Sequence, residues 1–191
     1  MRESDRYEIS QYKGRNRRLL YEWQQLERRL EHRHDITCRP VRRNKEGLPT
    51  AYQVGYQLRS ISGVENIEHF GEPGVENPPV FATGFHMRID LPDGYPSVDA
   101  APVFRFLTHD EYGQPIPHPW HPNIRYSGDF AGRVCLNAMD THAGLAWAVE
   151  RVESYLRYER YHALNEAPYP EDQRVAAWVI REGEPNDWIV F

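Results

Sequence analysis

Apolar residues first recur at helical spacing over residues 16–34, where Leu19, Trp23, Leu26 and Leu30 stand three and four positions apart. The spacing predicts a helix with one apolar stripe. Arg15, Arg17, Arg18, Arg28 and Arg29, with Glu22, Glu27 and Glu31, fill its other faces and read as solvated charge. The period then drops to two. Ile36–Arg43 reads as a strand, Asn44-Lys45-Glu46-Gly47 as a turn, and Tyr52, Val54, Tyr56 and Leu58 alternate with polar neighbours, which together predict an antiparallel hairpin. The stretch 63–79, rich in Gly, Pro, Asn and Glu, reads as a loop. Residues 80–91, with Phe81, Phe85, Met87 and Ile89 on one face, predict a third strand, and 103–107 a short fourth.

Between 109 and 130 no period is sustained. The density of Pro, His, Gly and aromatic residues there, with Trp120, Ile124 and Tyr126 needing something to pack on, predicts an ordered loop. A helical pattern resumes over 143–162 through Leu145, Val149, Val152 and Leu156, with Trp147 and Tyr155 as further inward candidates, and ends before Pro168 and Pro170. A last short helix is expected over 171–181, apolar at Val175, Trp178 and Val179. This order predicts an α+β fold with helices segregated around a four-stranded antiparallel meander sheet. The expected divisions are an N-terminal extension over 1–15, one domain over 16–181 and a tail over 182–191.

Composition narrows the function classes. The chain of 191 residues carries 40% hydrophobic and 27% charged residues, enough apolar material for one core. Its net charge of −5, with no basic tract outside the first helix, argues against a nucleic-acid partner. Apolar runs fall far short of the roughly 18–20 residues that span a bilayer, and Met1-Arg2-Glu3-Ser4-Asp5 lacks a signal core, so a cytoplasmic protein without membrane contact is expected. Cys38 and Cys135 are too few for a disulfide framework, and each is judged as a thiol. Cys38, at a strand start, is expected to be structural. Lys13 and Lys45 are the only lysines, a bias that source-genome composition explains.

Most catalytic motifs are missing. There is no phosphate-cradling glycine loop, no dinucleotide fingerprint and no nucleophile-elbow serine. His109, His118 and His121 cluster near Asp110, Glu111 and Cys135, but their spacing matches no recognised zinc pattern, and no metal is assigned. Cys135 stands in Gly132-Arg133-Val134-Cys135-Leu136. Taken alone, the Val-Cys-Leu context fits a packed thiol. As a nucleophile it would need exposure and a group that stabilises developing negative charge, and Asn123 in the proline-braced turn His121-Pro122-Asn123 is such a group.

The segment His121-Pro122-Asn123-Ile124 followed by Gly132-Arg133-Val134-Cys135-Leu136 resembles the active-site segment of ubiquitin-conjugating enzymes, in which His-Pro-Asn precedes the thioester-forming cysteine. Tyr95-Pro96, then Pro102-Val103-Phe104 and Phe106, resemble that family's run between the third strand and the active site. Asn165-Glu166-Ala167-Pro168-Tyr169-Pro170 stands where the family has a Pro-rich turn. The order of elements over about 16–181 also matches.

The resemblance implies a ubiquitin-conjugating fold and an enzyme in which Cys135 accepts a ubiquitin-like protein from an activating enzyme and passes it to an amine of a target protein. Asn123 would brace the loop and stabilise the oxyanion, His121 and Pro122 would shape the turn, and no cofactor or metal is implied. The helix bearing Arg15, Arg17 and Arg18 would face the activating enzyme. The Asn123–Cys135 spacing is a few residues longer than usual in the family, and residues 109–120 add length before the motif. Asn137 replaces a common acidic residue, so that its help is either missing or supplied by Asp129, Asp140 or Glu166, and the last family helix is shortened or absent. These departures, with the Arg-for-Lys bias, resemble bacterial members encoded beside a ubiquitin-like protein, an activating enzyme and a deconjugating protease, some acting in antiphage defence. The alternatives are a catalytically silent binding module of the same fold and, behind it, a cysteine hydrolase.

Overall fold

The computed structural model describes residues 2–136 and 143–189. Helix α1, Gly14–Leu30, buries Leu19, Leu20, Trp23 and Leu26, the stripe expected from the periodicity. Leu30 packs at its margin. Residues 2–13 form two short 3-10 turns, Glu3–Arg6 and Ile9–Gln11, the first tied to α1 by the Ser4 hydroxyl and N–H, which both donate to Glu27 Oε2.

Strands β1 (Ile36–Arg43), β2 (Pro49–Tyr56), β5 (Phe85–Asp90) and β6 (Val103–Phe106) form the four-stranded antiparallel sheet in the order β1-β2-β5-β6. Alternate residues Ile36, Tyr52, Val54, Tyr56, Phe85, Met87, Ile89, Phe104 and Phe106 turn inward against α1 and against helix α2, Leu145–Leu156. At about 25 cal/mol per Å² of apolar area removed from water, this face holds most of the fold's hydrophobic stabilisation. Cys38 packs at its edge, and burial pushes that thiol up to about 12, which leaves it chemically inert.

Two features depart from the expected meander. Residues 80–91 are two strands, because Gly84, at φ +78°, breaks the run after β4 (Pro79–Ala82). Its partner β3, Ser60–Val64, is too short and polar for alternation to reveal, and the pair forms a separate two-stranded sheet. Trp120, Tyr158, Val175, Trp178 and Val179 pack on it as a second apolar cluster. The last helix, α3, is Gln173–Trp178, one and a half turns, and a wide turn follows over Val179–Gly183. Among the described residues no helix is long and apolar enough to cross a membrane.

Candidate active site

The site lies at the seam between the two clusters, and backbone pairing builds it. Ile124 and Val134 form an isolated antiparallel bridge, and Arg105 bridges Arg133. Phe106 N–H donates to Gly132 O at 2.8 Å and Val134 N–H to Phe104 O at 3.0 Å, so the stretch before the cysteine is zipped to β6. The extra residues between Asn123 and Cys135 therefore form a closed excursion. At its mouth the Cys135 N–H donates to Asn123 O at 2.8 Å, and the two residues sit side by side despite their separation in sequence.

The turn carrying Asn123 is pinned from below. His121 is 1% exposed, accepts the Asn123 N–H at Nδ1 (3.1 Å) and donates from Nε2 to Arg160 O (3.1 Å), while its ring stacks on Tyr155 at 5.0 Å. That pattern fixes a neutral ring with its proton on Nε2. Burial pushes its pKa down to about 3, the Arg160 carbonyl bond opposing. An unfolded histidine titrates near 6.5, so below that pH the unfolded chain takes up a proton that the folded chain refuses, and stability falls with pH over the window from about 6.5 to about 3. Lowering the pH from 7 to 4.5 is expected to reduce Tm more in the wild type than in His121→Gln. Equal slopes would contradict the assignment.

From the side, Asp172 holds the loop and α3 together. Its Oδ1 caps α3 by accepting from Arg174 N–H (3.1 Å) and Val175 N–H (3.2 Å), its Oδ2 accepts from Tyr126 N–H (2.9 Å), and its own N–H donates to Pro122 O (2.9 Å). The upstream loop is ordered by aromatic contacts: His118 stacks on Tyr126 at 4.5 Å, and the Trp120 ring meets Tyr126 edge-on.

Cys135 is exposed. It opens with Asn123 on a cleft of about 770 Å³, whose other walls include Leu136, Arg151, Tyr155, Glu159, His162 and Tyr169. The Asn123 Oδ1 accepts the His162 N–H at 3.1 Å, which ties the far wall to the turn and leaves the Nδ2 group without a hydrogen bond among the described residues. Desolvation by the flanking chain and the Glu171 carboxylate raise the Cys135 thiol above its ordinary range, with the Arg133 guanidinium opposing. Glu171 is itself held by Arg133 at 2.7 Å.

Of the carboxylates considered from sequence, Asp129 and Glu166 are exposed and do not line the cleft, and Asp140, with Asn137, lies outside the described residues. Glu159 is the carboxylate in the cleft wall among the described residues, while Glu171 pairs with Arg133 and Asp172 holds the Tyr126 backbone. Sequence reading missed all three. For Asp172 a signal existed, an acidic residue directly before a helix. His109, His118 and His121 do not converge on Cys135, and among the described residues no group of His, Cys, Asp and Glu is arranged to hold a metal ion. Of the helix arginines expected to face a partner, Arg18 is engaged by Glu22 at 2.5 Å, and Arg15 reaches Pro92 O (3.2 Å) and Asp93 (3.7 Å); Arg17 stays exposed.

No family model matches the chain, and no curated protein matches it. Among solved structures, it resembles the crystal structure of a Plasmodium yoelii protein provisionally assigned as a ubiquitin conjugating enzyme, with 17% sequence identity, 91% of this chain and 90% of that chain covered, and a TM-score of 0.51. The chain thus has an α+β ubiquitin-conjugating-like fold, with Cys135 and Asn123 side by side at the mouth of an open cleft.

Proposed function

We propose that this chain is a conjugating enzyme that carries a ubiquitin-like protein as a thioester on Cys135. The observation that carries the reading is the pairing of an exposed cysteine with Asn123 at the mouth of one cleft. In the loading step the Cys135 sulfur attacks the carbonyl of a thioester presented by the activating enzyme. The new S–C bond forms as the old one breaks, and the proton that Cys135 gives up leaves on the departing thiol. In the discharge step an amine nitrogen attacks, an N–C bond forms, the S–C bond breaks, and the Cys135 thiol is restored.

The Asn123 Nδ2, which has no hydrogen bond among the described residues, is available to donate to the oxyanion of that step. Glu159 faces the space an amine must cross and orients it while accepting its proton. A thiol with a raised pKa is a reluctant leaving group, which suits an acyl group held until the acceptor arrives. Two described histidines near the cleft are committed elsewhere, which favours transfer over hydrolysis: His121 has both ring nitrogens engaged, and His162 Nε2 meets Glu166 O at 3.2 Å.

The partners would be a ubiquitin-like protein, an activating enzyme and a protein target, in a bacterial conjugation system with its own deconjugating protease and a role in antiphage defence. The test mixes the chain with the activating enzyme and ubiquitin-like protein encoded beside it and ATP. A thiol-sensitive adduct in the wild type, absent in Cys135→Ala, supports the reading; no adduct with retained binding indicates a silent binding module. In single-turnover discharge to free lysine, Glu159→Gln is expected to load normally and to discharge roughly 10²-fold more slowly. An unchanged discharge rate removes Glu159 from the mechanism.

A further inference from the structure

The outward face of the four-stranded sheet carries a row of arginines in register. Arg39 stands opposite Gln53, Gln53 opposite Arg88, Arg88 opposite Arg105, and Arg105 opposite Arg133 of the active-site stretch. Paired residues on neighbouring strands project to the same side. With strands about 4.8 Å apart, four steps lay the row over ~19 Å, from the outer edge of β1 to the neighbourhood of Cys135. The neighbouring outward residues Thr37, Gly55, His86 and Val103 bring no carboxylate, and Asp90 is the exception, engaged by Arg88 at 2.8 Å and Arg42 at 3.2 Å. Arg39 donates to Gln53 Oε1 at 2.8 Å, Arg133 turns to Glu171, and Arg105 has no side-chain partner among the described residues.

Like charges directly opposite one another on a sheet destabilise it. Here two consecutive cross-strand pairs, Arg88–Arg105 and Arg105–Arg133, are of like sign, on a chain whose net charge is −5. Such repulsion is relieved when an anion lies along the row. We propose that this face docks an acidic polypeptide, an extended segment whose carboxylates at alternate positions fall about 6.6 Å apart and meet the long, adjustable arginine side chains. A single-stranded nucleic acid fits less well, because the row itself holds no aromatic ring on which successive bases could stack, His86 beside it offers one imidazole, and the Phe130 ring is already covered by the Arg133 guanidinium at 4.7 Å. The docking surface is separate from acyl transfer and does not rest on the thioester reading.

The test measures fluorescence anisotropy of a labelled peptide of alternating glutamate and threonine, beside its glutamine counterpart and an oligothymidine, at low and moderate salt. The glutamate peptide is expected to bind with an affinity that falls as salt rises, and to lose at least about tenfold in Arg88→Glu/Arg105→Glu. The glutamine peptide and oligothymidine should bind far more weakly. Tighter binding of oligothymidine, no binding of any probe, or binding indifferent to the charge reversal overturns the proposal. Arg105→Gln, which removes a repelling charge and no partner, should raise Tm slightly and weaken peptide binding. A lowered Tm removes the repulsion on which the inference stands.

Discussion

Replacing Gly132 with alanine is expected to abolish the ordered active-site stretch and with it any chemistry at Cys135. Gly132 sits at φ +82°, and a β-carbon added there would lie 2.1 Å from Phe106 O, a backbone atom in β6 that cannot swing aside. The same carbonyl-to-amide zipper joins the two segments, Phe106 N–H donating to Gly132 O. A side chain therefore forces the strands apart where they are bonded, in a conformation that already disfavours L-residues. Restoring clearance would break the Phe106–Gly132 and Val134–Phe104 bonds and unseat the Cys135–Asn123 pair. The cost is about 3 kcal/mol or more. Chemical denaturation followed by tryptophan fluorescence should read it as a lower midpoint, and labelling of Cys135 by a thiol reagent should become faster, while Gly128→Ala, with nothing within 4 Å of an added β-carbon, should be far milder. A Gly132→Ala variant of wild-type stability would show that the approach to β6 is not what holds the site.

The second large effect is expected at Glu22, whose carboxylate is 1% exposed in the middle of α1. Its Oε2 accepts the Leu145 N–H at 2.8 Å at the start of α2, its Oε1 accepts the Tyr95 hydroxyl at 2.9 Å, and Arg18 lies at 2.5 Å. One side chain thus fastens the first helix, the Tyr95 turn and the N-terminus of the helix that follows the active-site cysteine. Its negative charge also suits that helix terminus. Glu22→Ala leaves a buried N–H and a buried hydroxyl without partners, each worth about 1–3 kcal/mol; Arg18, about a third exposed, recovers part of its interaction from water. A loss of about 2–4 kcal/mol is expected in urea unfolding, with Glu22→Gln less affected because the amide oxygen keeps one of the two bonds. Equal losses for the two variants would mean that only volume matters at this position.

These two residues show where sequence reading ran out. The stripe Leu19–Trp23–Leu26, the alternation in β1 and β2 and the apolar face of α2 were legible because each repeats at a period set by local geometry. Glu22 carries no such mark. On a helical projection it stands three residues after Leu19 and four before Leu26, at the edge of the apolar stripe, but a charged side chain there reads as solvated until the N–H of residue 145 arrives from far along the chain to hold it inside. The β3–β4 pair escaped for a related reason, since Ser60–Val64 is short, polar and glycine-containing and becomes a strand only beside Pro79–Ala82.

The motif around Asn123 and Cys135 was legible as residue types in order, but its closure was not. Counting residues made the spacing look too long, whereas the Ile124–Val134 bridge removes the excess from the path between the two side chains. Among the supporting residues, Glu159 comes from a stretch beyond α2 that carries no period and Glu171 and Asp172 from the start of the expected last helix, and all three enter the site only through tertiary contacts.

Whether Cys135 forms an acyl bond with the C-terminus of a ubiquitin-like protein is read most directly from the intact mass of Cys135→Ser after incubation with the activating enzyme, ubiquitin-like protein and ATP. Serine at this position converts a labile thioester into an oxygen ester that survives reducing agent. The expected result is a mass gain equal to the ubiquitin-like protein less one water, persisting in thiol for the serine variant and reversed by thiol in the wild type. No mass gain in either protein, or a gain that persists in Cys135→Ala, would contradict it.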